Sequence, residues 1–173
     1  AYAGIPVTHR EYSSSVAVVT GHEDPSKEGS AIRWERLATA VDTLVFLMGV
    51  ANLSFIVERL IENGRDPDTP AAVISWGTTP RQRTLTGRLG EIASRVQQEE
   101  MTPPAVLVVG DVVRLRENIE WFEKRPLFGR RIIVTRTREQ AGEFASLLRE
   151  QGAEVIEFPT IRIAPPDSWD EVD

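Results

Sequence analysis

Short runs of consecutive apolar residues alternate along this chain with segments whose apolar positions recur every three or four residues. Runs of the first kind read as buried strands and segments of the second kind as amphipathic helices. Residues 15–20 are compact and β-branched and predict a strand. Residues 43–48 predict a second, apolar on both faces, the pattern of a strand with helices on both sides of its sheet. Leu53, Ile56, Val57, Leu60 and Ile61 repeat at helical spacing, and Gly64 follows as a C-cap. Residues 71–76 predict a third strand, and residues 83–86, polar-alternating and short, an edge strand. Leu89, Ile92, Ala93 and Val96 mark the next helix face, and residues 105–109 a buried strand that stops at Gly110.

The pattern then breaks. Residues 123–130 are charged and carry Pro126 and Gly129, which places a linker at 125–130 between a first part, 1–124, and a second, 131–173. A fresh strand begins at Arg131. Thr137-Arg138-Glu139-Gln140 has the form of a capping box, with the Thr hydroxyl and the Gln side chain exchanging bonds. Ala141, Phe144, Ala145 and Leu148 form the stripe of the following helix, Gly152 closes it, and residues 153–158 predict the next strand. The fold class is therefore α/β with a mixed sheet, followed by the opening βαβ of another α/β unit.

Composition narrows the function. A length of 173 residues suits one large domain or two small ones, and 41% hydrophobic with 27% charged residues is globular. The apolar stretch at 44–51 falls far short of the ~20 residues of a membrane span. With no cysteine, disulfide scaffolds, thiolate metal sites and cysteine nucleophiles are excluded, and a net charge of −6 argues against a general nucleic-acid binder. The chain begins at Ala1 without a signal-peptide pattern, and Trp169-Asp170-Glu171-Val172-Asp173 reads as a helix just starting, so both ends are expected to be cuts through a longer protein. Lys27 and Lys124 are the only lysines; the other basic residues are arginine, which suits carboxylate and phosphate ligands.

In open α/β sheets ligands sit at the carboxyl ends of strands, and three predicted strand ends carry glycine: Met48-Gly49, Gly77-Thr78-Thr79 and Gly110-Asp111. Each is either a close approach to a ligand or an ordinary turn. Gly77-Thr78-Thr79-Pro80 offers backbone amides and two hydroxyls but lacks the lysine and second glycine of a phosphate loop. Met48 is either core or the soft lining of an adenine pocket. His9 with Thr8 and Arg10 forms a polar cluster, in which the arginine suits a substrate carboxylate. His9 and His22-Glu23-Asp24 match no standard metal spacing, and no metal is expected. Arg81, Arg83 and Arg88, and Arg130, Arg131, Arg136 and Arg138, are either solvated surface or contacts for a polyanionic small molecule.

Ala1-Tyr2-Ala3-Gly4-Ile5-Pro6-Val7-Thr8-His9-Arg10 resembles the AYxGIPxTHR segment of uroporphyrinogen-III C-methyltransferases. Ser14-Ser15-Val16, Thr20-Gly21-His22, residues 43–49, Gly77-Thr78 with Gln82, Pro104-Ala105 to Gly110, Val112-Val113 and Trp121-Phe122 follow in family order. From Gly129 to Arg136, and more weakly at Glu139-Gln140-Ala141 and Gly152-Ala153-Glu154-Val155, the chain resembles the start of uroporphyrinogen-III synthase. The resemblance implies the second domain of the tetrapyrrole methylase fold, in a cytoplasmic, dimeric, bifunctional methyltransferase and lyase. That enzyme uses S-adenosyl-L-methionine, leaves S-adenosyl-L-homocysteine, and makes precorrin-2 from uroporphyrinogen III toward sirohaem and cobalamin.

By the same resemblance Met48, Gly77 and Thr78, with the backbone near Pro104 and Ala105, contact the cofactor, and Thr8, His9 and Arg10 lie near the substrate cleft. The family's glycine-rich loop and proposed acid and base fall upstream of Ala1, so no catalytic residue is assigned and the isolated chain is expected to bind cofactor weakly or not at all and to lack activity. The alternatives are a non-catalytic self-association module, or another tetrapyrrole methylase such as a cobalamin-pathway methylase or a diphthine synthase. Methyl transfer from a sulfonium is an in-line displacement, which asks the protein chiefly for alignment.

Overall fold

The computed structural model describes residues 1–21 and 31–161, with only the backbone of Arg138 and Glu139. His22-Glu23-Asp24 and the helix start expected at Trp169 lie outside the described residues. The chain forms two compact units, Ala1–Lys124 and Arg125–Asp173.

The first unit is built on five strands: β1 (Val16–Thr20), β2 (Thr43–Leu47), β3 (Pro70–Ser75), β4 (Arg83–Arg88) and β5 (Ala105–Val109). Their order in the sheet is β1-β2-β5-β3-β4. Only β1 and β2 are parallel; β5 runs antiparallel to both β2 and β3, and β4 is the antiparallel edge next to β3. Three helices, α1 (Trp34–Ala40), α2 (Leu53–Glu62) and α3 (Leu89–Gln98), pack on one face. Their apolar stripes meet Leu44 and Phe46, Ala71 and Val73, and Leu107 and Val109 in the main core. Alternation along each strand sends these residues to one side and their neighbours to the other.

The second face differs from the expectation of helices on both sides. Val45, Ala72 and Val108 are covered by Ala3 and Ile5 of the N-terminal segment and by Val112 and Val113 of a 3-10 turn, Asp111–Leu115. A coil and a single turn cover only part of that face, and the uncovered part becomes the candidate site. Helix α1 was not anticipated: it is seven residues long with no side-chain cap, and its anchor is tertiary, with the Trp34 ring stacked 6.1 Å from Phe46. Helix α2 does end as anticipated, with Gly64 at φ +95 and Arg65 N–H donating to the Leu60 carbonyl. A four-residue helix α4 (Arg116–Ile119) completes this unit.

In the second unit β6 (Arg131–Val134) and β7 (Glu154–Glu157) pair in parallel across α5 (Arg138–Glu150). Two details depart from the sequence reading. Thr137 is the N-cap, but its hydroxyl makes no cap bond; it is turned inward and buried without a partner. Its carbonyl instead accepts from the Gln140 and Ala141 amides, so backbone alone starts the helix. Ala141 and Ala145 are buried as expected, whereas Phe144 is exposed with the Arg136 guanidinium 5.2 Å from its ring. No described helix is long and apolar enough to cross a membrane.

Candidate functional site

On the second face of the five-stranded sheet, Leu47, Val106 and Ile74 form one row of cross-strand neighbours across β2, β5 and β3. One row further along, Val45, Val108 and Ala72 are covered; in this row Ile74 and Val106 are only partly buried and Leu47 is exposed. This row forms the floor of a groove of about 830 Å³. Three chain segments rise around it: Met48, Val50 and Ala51 after β2, Trp76 to Thr79 after β3, and Pro103 to Ala105 leading into β5. Met48, Gly77, Thr78, Pro104 and Ala105, which come from three separate parts of the sequence, therefore line one cavity. The rim is braced by the Trp76 amide donating to the Pro104 carbonyl at 2.9 Å and the Ser75 hydroxyl donating to the Thr102 carbonyl at 2.8 Å.

Two of the three glycine-bearing strand ends meet here. Gly110-Asp111 does not, because β5 runs opposite to β2 and β3 and ends at the far side of the sheet. The glycines also act differently from expectation. Positive φ falls on their non-glycine neighbours Met48 (+55), Trp76 (+51) and Thr78 (+69), all on the groove rim. Such conformations cost of order 1–3 kcal/mol each and persist where surrounding contacts impose them. Gly49 serves packing instead: it lies against Gly21, where a Cβ would stand 2.6 Å from the Gly49 Cα. The Asn52 side-chain amide donates to the Gly21 carbonyl at 3.0 Å and holds the two strand ends together.

Two of the three amides of the Gly77-Thr78-Thr79 turn are already engaged. Thr78 N–H donates to the buried Gln82 Oε1 at 2.9 Å, and Thr79 N–H and its hydroxyl both donate to the Trp76 carbonyl. The turn is thus no cradle for phosphate. No lining side chain carries a charge. An apolar floor, an aromatic ring and two hydroxyls suit a flat, uncharged group bound by its faces and edges, with no acid–base chemistry of the groove's own. Sequence reading missed Trp76 and the floor row; a tryptophan in the last position before a strand-end glycine was the available signal for the first.

Thr8, His9 and Arg10 lie elsewhere. They enter a tight turn in which the Ser13 amide donates to the His9 carbonyl at 2.9 Å and His9 Nδ1 accepts from the Glu11 amide at 3.3 Å. This turn adjoins the start of β1 and β2, where the Ser13 and Thr43 hydroxyls are 2.7 Å apart. It is therefore separated from the groove by the length of β2, about 16 Å for five residues. At that same end Asp42 accepts from the Ser14 amide and from the amide and hydroxyl of Ser15, which hold its carboxyl below the usual carboxylate range. Arg65 donates to the Val41 and Asp42 carbonyls, and burial lowers its pKa, opposed by Asp42 and Asp111. Within the two arginine clusters, Arg83 pairs with Glu99, Arg88 with Asp68 and Arg131 with Glu154.

The family model for "Tetrapyrrole (Corrin/Porphyrin) Methylases" matches residues 1–93. The chain is 46% identical over 161 residues to a uroporphyrinogen-III C-methyltransferase of Bacillus subtilis, covering 93% of this chain and 33% of that protein. It is 52% identical over 117 residues to an S-adenosyl-L-methionine-dependent uroporphyrinogen III methyltransferase of Methanosarcina barkeri, covering 68% and 46%. Among solved structures, the uroporphyrin-III C-methyl transferase of Thermus thermophilus complexed with S-adenyl homocysteine superposes with a TM-score of 0.56 at 35% identity, over 66% of this chain and 49% of that one. The chain thus spans from a third to about half the length of these relatives.

Proposed function

The chain belongs to the tetrapyrrole (corrin/porphyrin) methylase family, and from that premise we propose that its groove is one wall of the S-adenosylmethionine site of a uroporphyrinogen-III C-methyltransferase making precorrin-2. The observation that carries this reading is the convergence of Met48, Gly77, Thr78, Pro104 and Ala105 on one uncharged groove. The fit is chemical as well as spatial: the adenine base of an adenosine is flat and uncharged, the floor row is apolar, and the Trp76 ring and Met48 thioether offer polarizable surface. When bound, the cofactor supplies an electrophilic methyl group on sulfur. The residues of this chain hold and orient it and exclude water from one side, which is the alignment that in-line transfer requires.

In this reading Thr8, His9 and Arg10 belong to the tetrapyrrole, not to the cofactor. Arg10 is exposed, as a bidentate partner for a substrate carboxylate must be. In the same reading the segment from Arg131 on, within the second unit, belongs to a fused uroporphyrinogen-III synthase. The βαβ arrangement of β6, α5 and β7 supports this; the similarity to the Bacillus C-methyltransferase, covering 93% of the chain, runs past Lys124.

The test is titration of the chain with S-adenosylhomocysteine, followed by amide chemical shifts. Binding at or below about 1 mM is expected, with the largest shifts at Met48, Gly77, Thr78 and Ala105, and its loss in Ala105→Trp, which fills the groove. Absence of binding, or shifts centred elsewhere and unaffected by Ala105→Trp, would overturn the assignment.

A further inference from the structure

The Gly77–Thr78 rim is held from behind by side chains that do not themselves line the groove. Gln82 is buried, and its two amide ends are used in opposite senses. Oε1 accepts the Thr78 N–H at 2.9 Å, and Nε2 donates to Glu123 Oε1 at 2.7 Å. The same carboxylate oxygen accepts the Thr84 hydroxyl at 2.6 Å, and Glu123 Oε2 accepts from Arg116 Nη2 at 2.7 Å. Arg116 is fixed in turn by its bond to the Ala3 carbonyl and its ion pair with Glu120. The chain of bonds is polar in one direction only. An N–H at Thr78 demands an acceptor, a carboxylate at Glu123 demands a donor, and a glutamine is the side chain that presents both.

The rim has reason to need such a hold. Thr78 sits at φ +69, a conformation that its own side chain disfavours, and Trp76 at +51 flanks the same turn. Gly77 does not impose the shape, since a Cβ there would meet only ordinary van der Waals neighbours. The bond from Thr78 N–H to Gln82 is thus the restraint placed on the disfavoured residue itself.

We propose that Gln82 and Glu123 are positioning residues that lock the Gly77–Thr78 rim in its ligand-ready shape. Cofactor affinity then depends on a hydrogen-bond chain running from Arg116 to the Thr78 amide. The inference rests on the reading of the groove as the cofactor site and adds to it a pair of residues outside the groove.

Gln82→Met keeps the volume and removes both bonds. Hydrogen exchange at the Thr78 amide of the unliganded chain is expected to speed up about tenfold, the worth of one lost hydrogen bond, while exchange at Val73 in the strand core stays unchanged. S-adenosylhomocysteine affinity is expected to fall by a similar factor of about ten. Gln82→Glu places two carboxylates together and weakens binding as well; adding Glu123→Gln restores a donor between the two positions and should bring affinity back to within about threefold. A merely space-filling role predicts no such rescue. If Gln82→Met does not fold, Glu123→Gln alone answers the question, since it leaves Gln82 in place and sets an amide N–H against Arg116 or Thr84. Unchanged Thr78 exchange and affinity in the variants, or a swap no better than Gln82→Glu, would overturn the proposal. If the unaltered chain does not bind S-adenosylhomocysteine, the cofactor assignment falls, while the Thr78 exchange comparison still decides the positioning claim.

Discussion

The two ends of the five-stranded sheet are built on opposite principles. At the groove end the floor is an uncovered apolar row, no charged side chain faces in, and three non-glycine residues are held at positive φ. At the other end a hollow of about 600 Å³ is lined by Asp68, Arg88, Arg114, Arg116, Glu117 and Glu120. Its arginines are satisfied by carboxylates: Arg88 by Asp68, Arg114 by Asp111, and Arg116 by Glu120 and Glu123. A cavity rich in arginine is thus not an anion site when each guanidinium already has a counterion. A cavity with no charge at all is the stronger ligand candidate when its backbone is strained.

The largest blow to this contrast is Leu107→Ala. Leu107 is wholly buried in the strand shared by both ends, so a loss of about 2–5 kcal/mol is expected, with both ends melting in one urea transition. Two separate transitions would show the ends to be independent. Next comes Glu123→Ala, which strips the acceptor from Gln82, Thr84 and Arg116 and should cost about 1–3 kcal/mol in the same measurement. Asp42 sharpens the polar end through pH. Its folded pKa is depressed, so its contribution is present above the unfolded value of about 3.9 and is lost as pH falls through the lower folded value. The melting-temperature gap between the protein and Asp42→Asn should therefore be open at pH 7 and close in strong acid.

Thr78→Gly releases a left-handed threonine at the groove end. The relief is largely offset by the greater freedom of glycine in the unfolded chain, leaving a gain of about 0.5 kcal/mol. The smallest effect belongs to Arg88→Ala. Its ion pair with Asp68 is largely solvent-exposed, so a change below about 0.5 kcal/mol is expected, with S-adenosylhomocysteine affinity untouched.

What could be read in advance followed periodicity. Strands β1, β2, β3 and β5 are apolar runs, and α2 and α3 carry clear stripes, so their places were legible. Helix α1 was not, because seven residues anchored by one tryptophan make no periodic signal. In the groove, the lining residues Met48, Gly77, Thr78, Pro104 and Ala105 were reachable through strand ends and family likeness. The floor row of Leu47, Val106 and Ile74 was not, since it exists only in the register of three strands far apart in sequence. Left-handed backbone at Met48, Trp76 and Thr78 is invisible for a similar reason: none of these residue types favours that region, and tertiary contacts impose it. Gln82 and Glu123 stand 41 residues apart, and no local pattern joins them.

The central position of β5 has a consequence for the order of assembly. It is the last of the five strands to be synthesised, yet it alone joins the β1–β2 pair to the β3–β4 pair. Until it inserts, a nascent chain holds two separate two-stranded ribbons, each marginal in water. The groove takes its walls from both ribbons and the middle of its floor from Val106. The groove therefore has no partial precursor; it comes into being in the same event that closes the sheet.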